Sequence, residues 1–198
     1  MASPDFEKAR GYALARLSQE LSPVFVYHSV WHTQSDVVPA AERLAMATGV
    51  ESGARLLLLT AAWFHDIGCI VQRFDHEAIG VGIADAVLPG FGYSLEQVRA
   101  IQNMIMATRL PQSPRTLLEE ILADADLDVL GRADFFERGV ALRTEFATFD
   151  RPQRDADWFR DQLKFLQSHR YFTPVARQLR DPGKLQNMAR LTQMLAVL

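Results

Sequence analysis

Five histidines occur in the 198 residues, and four of them, His28, His32, His65 and His76, fall within the first 76. Imidazole titrates near neutrality and is a common metal ligand, so this crowding raises metal binding or acid–base chemistry. His28 and His32 are four residues apart, which on a helix places both on one face, one turn above the other. An isolated histidine pair is more often a surface or core pair, and this one gains weight only from its neighbours. His65-Asp66 closes the apolar run Leu56 to Phe64, where a carboxylate beside an imidazole is costly to bury without a partner. A metal ion would be that partner; an arginine or a helix end would be the simpler alternative. Adjacent side chains on a helix diverge by about 100°, so both could touch one ion only at their seam, with further ligands arriving from other helices.

Those further ligands are sought in Ile121 to Gly131, an apolar segment with acids at alternate positions, Asp124, Asp126 and Asp128. A solvated acidic stripe would carry more lysine or arginine at helical spacing than Leu117 to Leu130 contains. Asp124 shares a side with Ile121 and Ala125 and is expected to point inward as the metal ligand. Asp126, well around the helix, is the alternative.

The elements that must position these residues all read as helices. Apolar spacing predicts Phe6 to Leu21, a kinked helix from Val24 to Ala47 across Pro39, and Ala54 to Phe64 behind a Ser52 cap. After Gly68, Asp75 is expected to cap His76 to Leu88, and Ser94 with Gln97 to open Leu95 to Thr108. Leu117 to Leu130, Phe135 to Phe149, Trp158 to His169 and Gly183 to Leu198 complete an all-α chain, since no segment alternates as a strand would. One domain over 1–198 is expected, with a motif core at about 24–135 and a C-terminal helical extension at about 136–198.

A net charge of -3 and dispersed basic residues give no electrostatic reason to bind nucleic acid. No apolar stretch approaches the roughly 20 residues of a membrane span, and Met1 to Arg10 lacks a secretory core. Cys69, the single cysteine, excludes an intramolecular disulfide and suits a cytoplasmic location.

Taken jointly, Tyr27-His28-Ser29-Val30-Trp31-His32-Thr33, Ala62-Trp63-Phe64-His65-Asp66-Ile67-Gly68, His76-Glu77 and Ala123-Asp124-Ala125-Asp126-Leu127-Asp128 resemble the HD superfamily of metal-dependent phosphohydrolases. The resemblance implies a helical bundle holding one divalent ion (manganese, magnesium, iron, cobalt or nickel, with zinc also compatible) on His32, His65, Asp66 and the later aspartate, Asp124 or Asp126. It implies hydrolysis of a phosphoester or phosphoanhydride of a nucleotide or related small phosphate compound, with Asp66 orienting water and His28 as general acid or phosphate contact. His76 and Glu77 would support the ligands. Arg73, Arg109, Arg132 and Lys164 are candidates to meet substrate phosphate, while His169 in its aromatic stretch reads as structural. A regulatory module that binds metal or nucleotide without turnover is the alternative. An iron oxygenase would need more histidines than follow His76. A homodimer contact through the aromatic C-terminal region is open.

Overall fold

A computed structural model describes residues 4–150 and 152–198. Residues 1–3, part of the segment read above as lacking a secretory core, lie outside the described residues, as does residue 151 of the Asp150 to Asp157 connection. The order is α1 (Phe6–Glu20), α2 (Val38–Ala47), α3 (Ser52–Phe64), α4 (His76–Val87), α5 (Leu95–Ala107), α6 (Leu117–Asp126), α7 (Phe135–Phe149), α8 (Asp155–Ser168) and α9 (Pro174–Ala196). No strand occurs among the described residues, so the chain is all-α as expected. None of their helices is long and apolar enough to cross a membrane.

α3 is the central helix because its sequence is apolar nearly all round, which only burial on several sides satisfies. Leu58, Ala61, Ala62 and Phe64 are fully buried, and α1, α2, α5 and α6 pack around it. The ends are set by local chemistry. Ser94 and Gln97 form the expected reciprocal capping box at α5, and Thr116 accepts from the Glu119 amide at α6. Ser52 does not cap α3; Glu51 holds that position without a side-chain bond. Asp75 precedes α4 in a left-handed conformation, and its carboxylate pairs with Arg109 instead of capping the helix.

Three expected helices differ, and each difference bears on the site. Residues 22–29 form turns, so the helix expected from Val24 starts only at Val30 and His28 is not helical. Its first part, His32–Val37, is a wide π turn in which the Val38 amide bonds to the Thr33 carbonyl five residues back. Pro39 offers no N–H and its ring crowds the carbonyl four residues earlier, so a regular turn cannot run through it unchanged. α6 stops at Asp126, and Asp128–Gly131 is a separate 3₁₀ turn. α9 begins at Pro174, well before the expected Gly183, and runs through Pro182. Packing overrides the Pro-Gly break there: a Cβ on Gly183 would lie 2.1 Å from the Gly131 carbonyl oxygen, so α9 and the 3₁₀ turn meet backbone to backbone.

Candidate metal centre

Four chain segments deliver the cluster. His32 opens the π turn, His65 follows the last residue of α3, Asp66 precedes the 3₁₀ turn Ile67–Ile70, and Asp126 ends α6. Asp126 Oδ1 lies 3.4 Å from His32 Nε2 and 3.6 Å from His65 Nε2; Asp66 Oδ2 lies 3.2 Å from His65 Nε2 and 3.8 Å from His32 Nε2. His32, His65 and Asp66 are at most 3% exposed.

The two imidazoles are held from behind. His65 Nδ1 donates to the Ala62 carbonyl at 2.7 Å, which fixes the tautomer and leaves the Nε2 lone pair facing the cluster; His32 Nδ1 faces Asp36 at 3.5 Å. His65 Nε2 and Asp66 Oδ2 are buried with no hydrogen-bond partner. Leaving such groups unsatisfied costs about 1–3 kcal/mol each, more when charged. His32, His65 and Asp66 bring their ligand atoms close enough together to hold a divalent ion, Asp126 Oδ1 stands beside both imidazoles as a fourth donor, and such a set leaves coordination positions for water.

The expectation that Asp124 is the ligand is corrected. Asp124 is buried, as predicted, but its Oδ1 accepts from the Phe172 amide at 2.7 Å and its Oδ2 from the Thr173 amide at 2.8 Å and hydroxyl at 2.7 Å. Two positions along a helix turn the side chain by about 200°, so Asp124 and Asp126 face opposite ways. Both directions lead inward, because α6 lies between the His-Asp cluster and the start of α9. Sequence reasoning assumed one inward face.

His28 and His76 flank the cluster, their ring centroids 5.9 Å apart. His76 Nε2 is 3.2 Å from Asp66 Oδ1, and its Nδ1 is 2.9 Å from the Arg73 carbonyl. Gly68 permits this approach: a Cβ there would lie 1.9 Å from the His76 carbonyl oxygen. Glu77 Oε1 stands 3.6 Å from His76 Nε2. His28 approaches His32, at 6.1 Å between centroids, through the bend of residues 22–29, not through a shared helix face. Its Nδ1 pairs with Glu145 of α7, which also accepts from the Tyr27 and His28 amides at 2.9 and 3.0 Å. Glu145 is fully buried and was not singled out in the sequence, where only its place in a helix of mixed polarity could have marked it.

The charges are strongly coupled. Burial alone would lower the pKa of His32, but hydrogen bonds to Asp126 and Asp36 outweigh it and raise the pKa to about 9. His76 is likewise raised to about 9 against its burial, mainly by Asp66. Asp66 is held well below the usual carboxylate range despite burial, by His65 above all.

A cavity of about 630 Å³ opens onto Asp66, Asp126, His28 and His76. Of the four candidate phosphate contacts, Arg73 and Arg109 line it. Arg73 pairs with Asp150 at 3.2 Å with its guanidinium 4.2 Å from the Phe146 ring centre, and Arg109 pairs with Asp75 at 2.8 Å. Arg132 does not line it and is tied to Asp36 and Asp134. Lys164 is exposed on α8, outside the lining. The sequence reading missed Arg138 of α7, which lines the cavity, lies 4.2 Å over the Trp31 ring and reaches Asp36 at 3.4 Å. His169 packs on Tyr171 beside Lys184, away from the cluster, and burial lowers its pKa to about 4.

Residues 36–128 match the HD domain family model. His32 lies just ahead of that span. Two crystal structures share the fold over nearly the whole length. A predicted HD superfamily hydrolase from an uncultured Thermotogales bacterium is 19% identical, with a TM-score of 0.66 over 98% of this chain and 92% of its own. A protein of Lactobacillus plantarum is 20% identical, with a TM-score of 0.69 over 96% of this chain and 95% of its own. Among curated proteins there is no match.

Proposed function

From the match of residues 36–128 to the HD domain family model we propose that this chain is a metal-dependent phosphohydrolase acting on a small phosphate compound. The observation that supports this reading best is the group His32, His65, Asp66 and Asp126, in which the buried His65 Nε2 and Asp66 Oδ2 lack hydrogen-bond partners where the cavity begins. A divalent ion bound there supplies Lewis acidity and a water activated for attack on phosphorus.

The chain's own residues do the rest. Asp66 faces the cluster with Oδ2 and His76 with Oδ1, so one carboxylate joins the ligand group to the cavity wall. His28 lines the cavity with Nδ1 held by Glu145, which fixes the orientation of the ring. That suits His28 as the acid that returns a proton to the leaving oxygen. Glu145 is then a positioning residue. Arg73 and Arg109 stand where they can meet phosphoryl oxygens, provided each exchanges part of its present ion pair.

The test is phosphate release from a panel of phosphoesters with manganese, magnesium or cobalt added, comparing wild type with Asp126→Ala and Asp124→Ala. Metal-dependent turnover, abolished by the first substitution and retained by the second, supports the reading. Metal binding with no consumption of any substrate would overturn it in favour of a non-catalytic binding module.

A further inference from the structure

Asp66, Asp126, His28 and His76 supply only part of the cavity wall. Leu127, Leu130, Phe135, Leu142, Phe146 and Phe165 supply an apolar part, contributed by the segment after α6 and by α7 and α8. Nothing in phosphoester hydrolysis needs such a surface. At about 630 Å³ the space exceeds a phosphate group several-fold and matches cavities that enclose an organic molecule.

The charge around it is equally specific. Five carboxylates (Asp66, Asp75, Glu77, Asp126 and Asp161) line the cavity against three guanidiniums (Arg73, Arg109 and Arg138). Two of those guanidiniums are held by acids, Arg73 by Asp150 and Arg109 by Asp75; Arg138 has only Asp36 at 3.4 Å, and its Nε and Nη2 make no hydrogen bond. No lysine lines the cavity among the described residues. A divalent ion would bring this set of acids and arginines close to neutrality, leaving Arg138 as the one incompletely paired guanidinium, enough for a single phosphoryl group and too little for a chain of phosphates, whose recognition rests on several arginine and lysine clamps.

We propose that the cavity selects a phosphomonoester carrying a single phosphoryl group on an apolar organic body, and discriminates against di- and triphosphates and against sugar phosphates. Its turnover rests on the hydrolase reading; its binding preference does not. One water would be consumed, the P–O ester bond would break, and the proton would pass to the alkoxide, giving the alcohol and inorganic phosphate. Burying an apolar body against this wall supplies affinity that a hydroxyl-rich sugar cannot match, because its hydroxyls would lose water without finding partners.

Binding decides the proposal. Manganese-loaded protein is titrated calorimetrically with a non-hydrolysable naphthylmethylphosphonate, with a methylene-bridged nucleoside triphosphate analogue and with a sugar phosphonate. The naphthyl compound should bind at least about ten-fold more tightly than either. Equal or tighter binding of the triphosphate analogue or the sugar phosphonate overturns the proposal. Leu142→Lys, which adds an uncommitted cation to the partly buried apolar wall, should weaken the naphthyl compound and strengthen the triphosphate analogue, by about five-fold each; a folded variant with both affinities unchanged also overturns it. Turnover of naphthyl phosphate, a nucleoside triphosphate and a hexose phosphate is measured in parallel. If none is consumed while the binding order holds, the hydrolase reading falls and the cavity's selectivity stands. If phosphate is released but the binding order is reversed, the hydrolase reading stands and the selectivity falls.

Discussion

Two polar clusters are buried on opposite sides of α6, and they are built to opposite rules. Toward α9, Asp124 receives three donors from residues 172–173, Asp128 is gripped by Nε and Nη2 of Arg180 at 2.7 Å, and Asn187 donates to the Leu130 and Arg132 carbonyls. Toward α3, His65 Nε2 and Asp66 Oδ2 are left with no hydrogen-bond partner. The first cluster is complete in itself and ties the C-terminal helices to the bundle. The second is held in place from behind and left open in front. Buried polar groups are normally satisfied, so an exception walled in by well-supported neighbours marks a place prepared for something the chain does not contain.

The contrast is broken most severely at the open cluster. His65→Ala or Asp66→Ala should abolish stoichiometric metal binding, read by elemental analysis, and lower phosphate release by on the order of 10³ or more. Retention of metal by either variant would dissolve the distinction between the clusters.

The closed cluster should respond in the opposite way. Asp128→Ala strands the largely buried Arg180 and should cost about 3 kcal/mol in denaturant unfolding. Asp124→Ala should cost about 2 kcal/mol by orphaning the amides at residues 172–173. Both variants should bind metal as wild type does, and loss of metal from Asp124→Ala would return that residue to the ligand set.

A smaller effect is expected at the support behind His28. Glu145→Gln should lower turnover by about ten- to a hundred-fold and shift the alkaline side of the pH–rate profile, with metal content unchanged. An unshifted profile would reduce Glu145 to a structural role.

Protonation gives the mildest tests. In the metal-free protein the pKa of His32 is raised to about 9, and a ligand imidazole must be neutral to bind metal. Metal affinity should therefore climb as pH rises toward 9 and fall below it, by up to ten-fold per pH unit for each proton released. His169 has the opposite shift: its folded-state pKa of about 4 lies below the unfolded value near 6.5, so the unfolded chain takes up the proton first. Its contribution to stability is complete above pH 6.5 and is lost as pH falls from 6.5 toward 4, by less than about 1.4 kcal/mol per unit. His169→Gln should flatten that part of the stability profile.

Much of this was legible in the residues. The apolar girth of α3 marked the bundle's centre, Ser94 and Gln97 marked the start of α5, and the His-Asp dipeptide at the end of a buried helix marked the place where a charge needed a partner. These are local signals, written within a few turns of chain, and local sterics and hydrogen bonding enforce them wherever the segment lies. What surrounds a residue was not legible. Asp124 and Asp126 have equally apolar neighbours in sequence, and only the arrival of residues 172–173 on one side of α6 and of two imidazoles on the other decided which carboxylate was spent on structure. Glu145 and Arg138 were invisible for the same reason, since α7 meets residues 27–36 only through the folded chain. Helical periodicity says which side chains leave solvent; it carries no record of what they meet there, because contacts more than a hundred residues apart are set by packing alone.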